Sequence, residues 1–269
     1  MFKKTINYII LGIIQGITEP IPVSSSGHLE IFKKLFNMDV LNDLNFSIIV
    51  NFGSFLAILF LYRKTIISLI KDFFLFIKTK DDKYKDNFKY CLYIVLATIP
   101  AGILGVLFKK QIEAMSSNIK FVGIALLITA LALFLVRKLD GKKDNKDMNY
   151  LDALRIGLFQ VIALFPGISR SGSTIVGGLF TGLKKETAIT FSFMLYIPIS
   201  LATMVLGVSD LLKIPDINSY MLPYTMAAIV SMVITYFSAK VFLDIVKKNK
   251  LIYFVIYCLI VGTLVLLFL

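Results

Sequence analysis

Residues 15–28 read QGITEPIPVSSSGH, and they break off what has begun as a membrane helix. Tyr8, Ile9, Ile10, Leu11, Ile13 and Ile14 run ahead of them. Then come a carboxylate, Glu19, two prolines, Pro20 and Pro22, three serines, Ser24 to Ser26, and the chain's only histidine, His28. A bilayer core of about 30 Å needs roughly 20 apolar residues at about 1.5 Å each, so this run is too short to span. A second short run, Ala153 to Leu164, ends in the same manner at PGISRSGST, residues 166–174. Short runs stopped by Pro, Gly and Ser predict re-entrant hairpins, which a membrane tolerates only where protein or a wet cavity satisfies the broken backbone.

Composition supplies the setting for this reading. The 269 residues are 57% hydrophobic and carry a net charge of +12, with a mean hydropathy of +0.81. That combination excludes an ordinary soluble domain and predicts an all-α polytopic membrane protein. Six stretches are long enough to span: Leu44 to Tyr62, Phe88 to Phe108, Ile119 to Val136, Thr187 to Val208, Tyr220 to Leu243 and Leu251 to Leu269. Cys91 and Cys258 fall inside spans and read as small packing residues. The first run follows Lys3 and Lys4 as a secretory signal would. Because Glu19 and two prolines follow it rather than a small-residue cleavage site, it is expected to belong to the mature fold.

The two broken runs are copies. At a shift of 145 residues Gly12 falls on Gly157, Gln15 on Gln160, Ser24 on Ser169, Ser26 on Ser171 and Gly27 on Gly172. Phe46 and Ser47 fall on Phe191 and Ser192, Leu56 and Ala57 on Leu201 and Ala202, with no gap over the whole range. The predicted organisation is a single integral membrane domain of two repeats, residues 1–140 with a hairpin at about 6–37 and residues 150–269 with a hairpin at about 153–182. The charged segment RKLDGKKDNKD, Arg137 to Asp147, links them. A hairpin returns to its own side and three spans are odd in number, so the second copy enters from the opposite side. The expectation is an inverted-topology repeat with its axis in the membrane plane.

Basic residues orient it. Lys3, Lys4, Lys33, Lys34, Lys109, Lys110, Lys120 and Lys213 gather on one face, and 20 of the 29 gather on the other, leaving Arg170 inside the second hairpin. By the positive-inside bias the 20 are cytoplasmic, so the first hairpin enters from outside. Topology and anionic membrane lipids account for these loops without nucleic acid.

The hairpins carry chemistry. A residue before proline is pushed out of the helical region, so the first half-helix is expected to end near Glu19, with Gln15 on the same face. The end of a helix and a low dielectric both disfavour a carboxylate charge, so Glu19 is expected to hold a proton for transfer unless a cation or donor sits close. Ser24 is a natural N-cap for a second half-helix through Ser25, Ser26 and Gly27, whose free amides make an anion site. In the second hairpin Ser169 caps, Ser171 and Gly172 follow, and Arg170 adds a cation with a planar fork for phosphate oxygens. This set suits a phosphate or pyrophosphate. The plainer alternatives are serines as packing glue, a structural histidine, and Arg170 serving only as counter-ion to Glu19.

The pair QGITEPIPVSSSGH and PGISRSGST resembles the signature of the bacterial undecaprenyl-pyrophosphate phosphatases, the bacitracin-resistance family, and the likeness extends over the whole chain in length and span pattern. In that family's motifs Gln15 and Glu19 match the first element, Ser24, Ser25 and His28 the serines and histidine, and Ser169, Arg170 and Thr174 the second motif. The resemblance implies hydrolysis of undecaprenyl diphosphate to the monophosphate in a bacterial plasma membrane, with the site open to the outer side and bacitracin resistance as a consequence. It agrees with a scheme in which Ser25 is nucleophile, His28 base and then acid, Glu19 orients or protonates, and Arg170 with the hairpin amides holds the phosphates. His28 as nucleophile is the alternative. A second phosphatase family with Ser-Gly-His and Ser-Arg elements needs a further histidine, which this chain lacks. No protein-bound cofactor is expected; Mg or Ca would act with the diphosphate from solution, since one histidine and one motif carboxylate make a poor cage. The rival class is a transporter or flippase for a lipid phosphate, because inverted repeats with broken midplane helices are also a transporter architecture. A homodimer is a further alternative to the monomer.

Overall fold

The computed structural model describes residues 2–36, 44–116, 118–211 and 218–269. Lys213, counted above with the outer lysines, and residue 37, the far end of the first hairpin, lie outside them. The described residues are helical throughout, apart from loops, two short 3-10 turns and one isolated bridge between Lys143 and Leu183. The helices are α1 (Phe2–Thr18), α2 (Ser25–Leu35), α3 (Leu44–Leu61), α4 (Arg63–Thr79), α5 (Lys85–Leu107) and α6 (Lys109–Ser116). After these come α7 (Ile119–Val136), α8 (Tyr150–Ile162), α9 (Arg170–Phe180), α10 (Lys185–Leu211), α11 (Asn218–Lys247) and α12 (Ile252–Phe268). The chain is a polytopic membrane protein.

All six expected spans are helices, but they differ in reach. Among the described residues, α5, α7, α10 and α11 are long and apolar enough to cross a bilayer singly. Helix α3 meets that measure only together with α4, from which it is bent by 74°. Helix α12 has 17 residues, somewhat short of a full span. The bend falls at Tyr62, where α3's apolar run meets Arg63 and Lys64.

Helix α4 was hidden in sequence inside a basic loop. Its charges, Arg63, Lys64, Lys71, Asp72 and Lys78, alternate with Ile67, Ile70, Phe73, Phe74 and Phe76 at helical spacing. Phe73 stacks on Phe88 of α5 and Phe76 packs tilted against it, with ring centroids at 5.1 and 4.6 Å. Ile67, Ile70 and Phe74 stay more than half exposed, the pattern of a helix lying along a membrane surface.

The packing exchanges elements between the two copies. Helix α1 packs on α11 and α8 on α5; α3 packs on α11 and α10 on α5; α7 packs on α12. Two of the close approaches fall on repeat-related glycines. A Cβ at Gly12 would lie 2.6 Å from the Ala227 carbonyl oxygen, and one at Gly157 2.6 Å from that of Ala97. With lipid tails as apolar as leucine, helices in a membrane associate through such close contact rather than through hydrophobic exclusion. Around these contacts Tyr8 packs edge-on against Phe46 and Tyr224, at 4.9 and 5.4 Å.

A helix–turn–helix stands at each of the two broken runs. Helix α1 ends at Thr18, a turn carries Glu19 to Val23, and Ser24 caps α2. Helix α8 ends at Ile162, a turn follows, and Ser169 caps α9. The two turns meet. A Cβ on Gly27 would come 3.3 Å from Gly167 Cα, and one on Gly172 would come 3.4 Å from Pro22 Cβ. Gly27 and Gly172 are 145 residues apart, and so are Pro22 and Gly167, so each copy's half-helix abuts the other's turn.

Candidate active site

A cavity of about 80 Å³ lies where the hairpins meet, lined by Thr18, Glu19, Ser24 to Ser26, Ala163, Ile168 and Ser169 to Ser171. Buried polar groups surround it: Gln15, Glu19, Ser24, Ser169, Ser171 and Thr174 are each 9% exposed or less.

Glu19 is the hub. Its Oε2 accepts from Gln15 Nε2 at 3.0 Å and from the Ser25 hydroxyl. Its Oε1 accepts from Arg170 Nη2 at 2.8 Å. A cation and two donors therefore stand around the carboxylate, which is the exception that its position at a helix end allowed. Ser25 and Arg170 are themselves 145 residues apart, so equivalent positions of the two copies grip the two oxygens of one carboxylate. The counterpart of Glu19 is Leu164, which leaves the pair with a single acid.

Arg170 is fixed on three sides. Besides Glu19, its Nη1 donates to the Ser192 carbonyl at 3.4 Å, and its Cζ sits 4.2 Å from the centre of the Tyr196 ring. Cation–π contact of that kind strengthens when desolvated, and Tyr196 is 2% exposed. Thr174 does not face the cavity. Its hydroxyl lies 2.6 Å from Ser192 Oγ and donates to the Arg170 and Ser171 carbonyls, so it steadies the first turn of α9.

The half-helix caps agree with expectation. Gly27 N–H donates to Ser24 Oγ at 3.2 Å and Gly172 N–H to Ser169 Oγ at 3.0 Å. Ser171 Oγ reaches across to the Ile21 carbonyl at 3.3 Å, while Ser26 Oγ stays within the first hairpin, 3.5 Å from Ser24 Oγ. The amino ends of α2 and α9 thus open on the same cavity, where free amides favour an anion.

His28 stands apart from this group. Its Nδ1 is 2.8 Å from the Ser24 carbonyl and its Nε2 2.7 Å from the Tyr257 hydroxyl. The hydroxyl of Ser25 is bonded to Glu19, not to the imidazole. Sequence reasoning missed Tyr257 and Tyr196, which lie outside both motifs. It had a signal for Ser192, which the 145-residue match pairs with Ser47, but assigned it no role.

Among the described residues no three His, Cys, Asp or Glu side chains come together. A divalent cation here would find one carboxylate, already held by three donors, and would take its other ligands from phosphate and water. A larger cavity, about 310 Å³, lies beside Asp140, Lys184, Lys185, Glu186 and Asn249. Its charged groups are already matched: Lys184 bonds Asp144, outside the lining, at 2.7 Å, Lys247 approaches Glu186 at 3.9 Å, and Asp140 accepts from the Lys185 amide at 3.0 Å. It also contains no serine.

Comparison with known proteins gives a single answer. The family model described as bacitracin resistance protein BacA matches residues 8–264. The chain is 46% identical over 268 residues to undecaprenyl-diphosphatase 2 of Bacillus thuringiensis strain Al Hakam, covering 100% of this chain and 99% of that one. It is 44% identical to undecaprenyl-diphosphatase 1 of Bacillus licheniformis, with 99% of both chains covered. Identity to the undecaprenyl-diphosphatase of Oceanobacillus iheyensis is also 44%, over 100% of this chain and 98% of that one. With both signature segments inside the matched range and both lining one buried cavity, the chain belongs to the bacitracin resistance protein BacA family.

Proposed function

We propose that the chain hydrolyses undecaprenyl diphosphate to undecaprenyl phosphate and phosphate, and that the 80 Å³ cavity is where it does so. The observation that carries the reading is the convergence on one carboxylate of a serine from α2 and an arginine from α9, between two half-helix amino ends. A diphosphate needs positive surroundings for its oxygens and a nucleophile in line with its bridging oxygen, and this arrangement offers both.

Ser25 Oγ attacks the terminal phosphorus and passes its proton to Glu19. The bond from that phosphorus to the bridging oxygen breaks, and the lipid monophosphate leaves with the electron pair. Glu19 gives that proton to the departing lipid phosphate; water then attacks the phosphoserine, and its proton passes through Glu19 to the serine oxygen as the Oγ–P bond breaks and phosphate is released. Arg170 keeps further N–H groups for phosphate oxygens while one holds Glu19. Gln15 fixes the carboxylate from the other side. Purified protein in detergent should release phosphate from undecaprenyl diphosphate, which a lipid transporter has no means of doing. Enzyme trapped with radiolabelled diphosphate should hold phosphorus as an acid-stable, alkali-labile ester. A label lost in mild acid that still forms in Ser25→Ala would move the phosphoryl group to His28.

We read the two copies as an inverted-topology repeat, each half a re-entrant hairpin and three spans, in residues 1–140 and 150–269. The exchanged packing of α1 on α11 and α8 on α5 supports this, as does the meeting of each half-helix with the other copy's turn. The uneven distribution of basic residues supports a cavity opening to the outside of the cell membrane. In a cysteine-free background an impermeant thiol reagent should label Lys110→Cys in intact cells and spare Asn145→Cys. Labelling of Asn145→Cys alone reverses the orientation.

A further inference from the structure

The two hairpins are capped alike, yet one of them alone is strained. Ser24 and Ser169 are equivalent positions, and each accepts the amide of the glycine three residues on, at 3.2 and 3.0 Å. Ser169 does so at φ −70° and ψ 120°, ordinary extended backbone. Ser24 does so at φ 68° and ψ 91°, a left-handed setting that residues with a side chain rarely take. Capping therefore does not call for the strain. Strained backbone persists only where its surroundings hold it, and it concentrates at functional sites.

Among the differences between the copies, the one bonded to the Ser24 carbonyl is position 28. Its equivalent is Ser173, whereas His28 reaches back one turn with Nδ1 at 2.8 Å from the Ser24 carbonyl oxygen. That oxygen already receives the His28 backbone N–H at 3.1 Å. A carbonyl only accepts, so Nδ1 carries a proton, and in the neutral ring the lone pair is on Nε2. Nε2 then accepts the Tyr257 hydroxyl at 2.7 Å. His28 is 2% exposed, both its ring nitrogens are occupied, and it does not line the cavity that Glu19 and Ser25 share.

We infer that His28 is a positioning residue and that Tyr257, on the last helix, is its anchor. The chain Tyr257–His28–Ser24 holds the strained peptide that turns the Ser25 hydroxyl toward Glu19. The imidazole neither takes the serine's proton nor carries phosphorus; Glu19 does the first and Ser25 the second. The inference rests on the diphosphatase reading and adds two named roles to it.

The test separates a hydrogen-bond donor from a base. Asparagine places an amide N–H where Nδ1 stood and can donate to Ser24, but it can neither accept a proton nor carry a phosphoryl group. Phosphate release from undecaprenyl diphosphate is measured on the full chain in detergent for His28→Asn, His28→Ala and Tyr257→Phe, with thermal unfolding of each. The expected result is His28→Asn within about tenfold of the wild-type kcat, and His28→Ala at least about tenfold below His28→Asn. Tyr257→Phe should lower kcat about threefold to tenfold while KM changes by less than about twofold. His28→Asn more than about tenfold below wild type with unchanged unfolding overturns the inference, because it returns the base or nucleophile role to the imidazole. His28→Ala as active as His28→Asn overturns it too, since then nothing depends on the bond to Ser24. If His28→Ala fails to fold, the His28→Asn rate still decides. Wild-type protein that releases no phosphate strikes down the diphosphatase reading, and this inference with it.

Discussion

Glu19→Gln should lower kcat by about a thousandfold, or ~4 kcal/mol of transition-state stabilisation. Three donors point at its two oxygens: Gln15 Nε2, the Ser25 hydroxyl and Arg170 Nη2. Glutamine keeps the shape but replaces one oxygen with an amide that donates, so one of the three is left facing another donor. It also removes the proposed acceptor for the serine proton and, among the described residues, the only anion bonded to Arg170, whose side chain is 18% exposed. Breaking a buried pair from one side costs about 3–5 kcal/mol, so a fall in unfolding temperature should accompany the loss. Phosphate release and thermal unfolding on the same preparation check both. A folded variant keeping a tenth of the activity would mean that Glu19 is not the base.

Arg170→Lys should cost at least tenfold in kcat, about 1.4 kcal/mol, because a point charge cannot meet three constraints that a planar fork meets at once. The guanidinium reaches Glu19 at 2.8 Å and the Ser192 carbonyl at 3.4 Å while lying 4.2 Å over the Tyr196 ring. An ammonium in its place keeps one of these and still presents positive charge to the phosphates. Steady-state kinetics in detergent make the comparison. Activity within twofold of wild type would reduce Arg170 to a counter-ion.

The hairpins were legible because their signals are local. Proline after Glu19 stops α1 one residue earlier, at Thr18, and serine hydroxyls cap at Ser24 and Ser169 through bonds spanning three residues. The meeting of Glu19 and Arg170 was legible only as the plainer alternative, a counter-ion role for the arginine, although an acid and a base in two buried hairpins have few other partners. The orientation of His28 did not follow. Spacing puts it one turn beyond Ser25, but the ring's direction depends on a tyrosine 229 residues away and on a φ of 68° that nothing in SSSGH announces. Tyr196 escaped for a similar reason: an aromatic within an apolar span reads as packing until a guanidinium is found over it. Helix α4 was lost differently. A topology count treats basic residues as loop, and a surface helix needs those same residues on its polar face.

The proposed reaction centre takes Glu19 and Ser25 from one sequence copy and Arg170 from the other, and neither copy contains the whole set. A fragment ending in the Arg137 to Asp147 linker would insert into a membrane and remain inert, and so would its complement. Supplied as two polypeptides in one cell, they would regain activity only by docking so that the turns at Gly27 and Gly172 meet again. The linker takes no part in the proposed chemistry, so on that proposal the two halves act as a heterodimer written as one chain, and the catalytic unit is the contact between them.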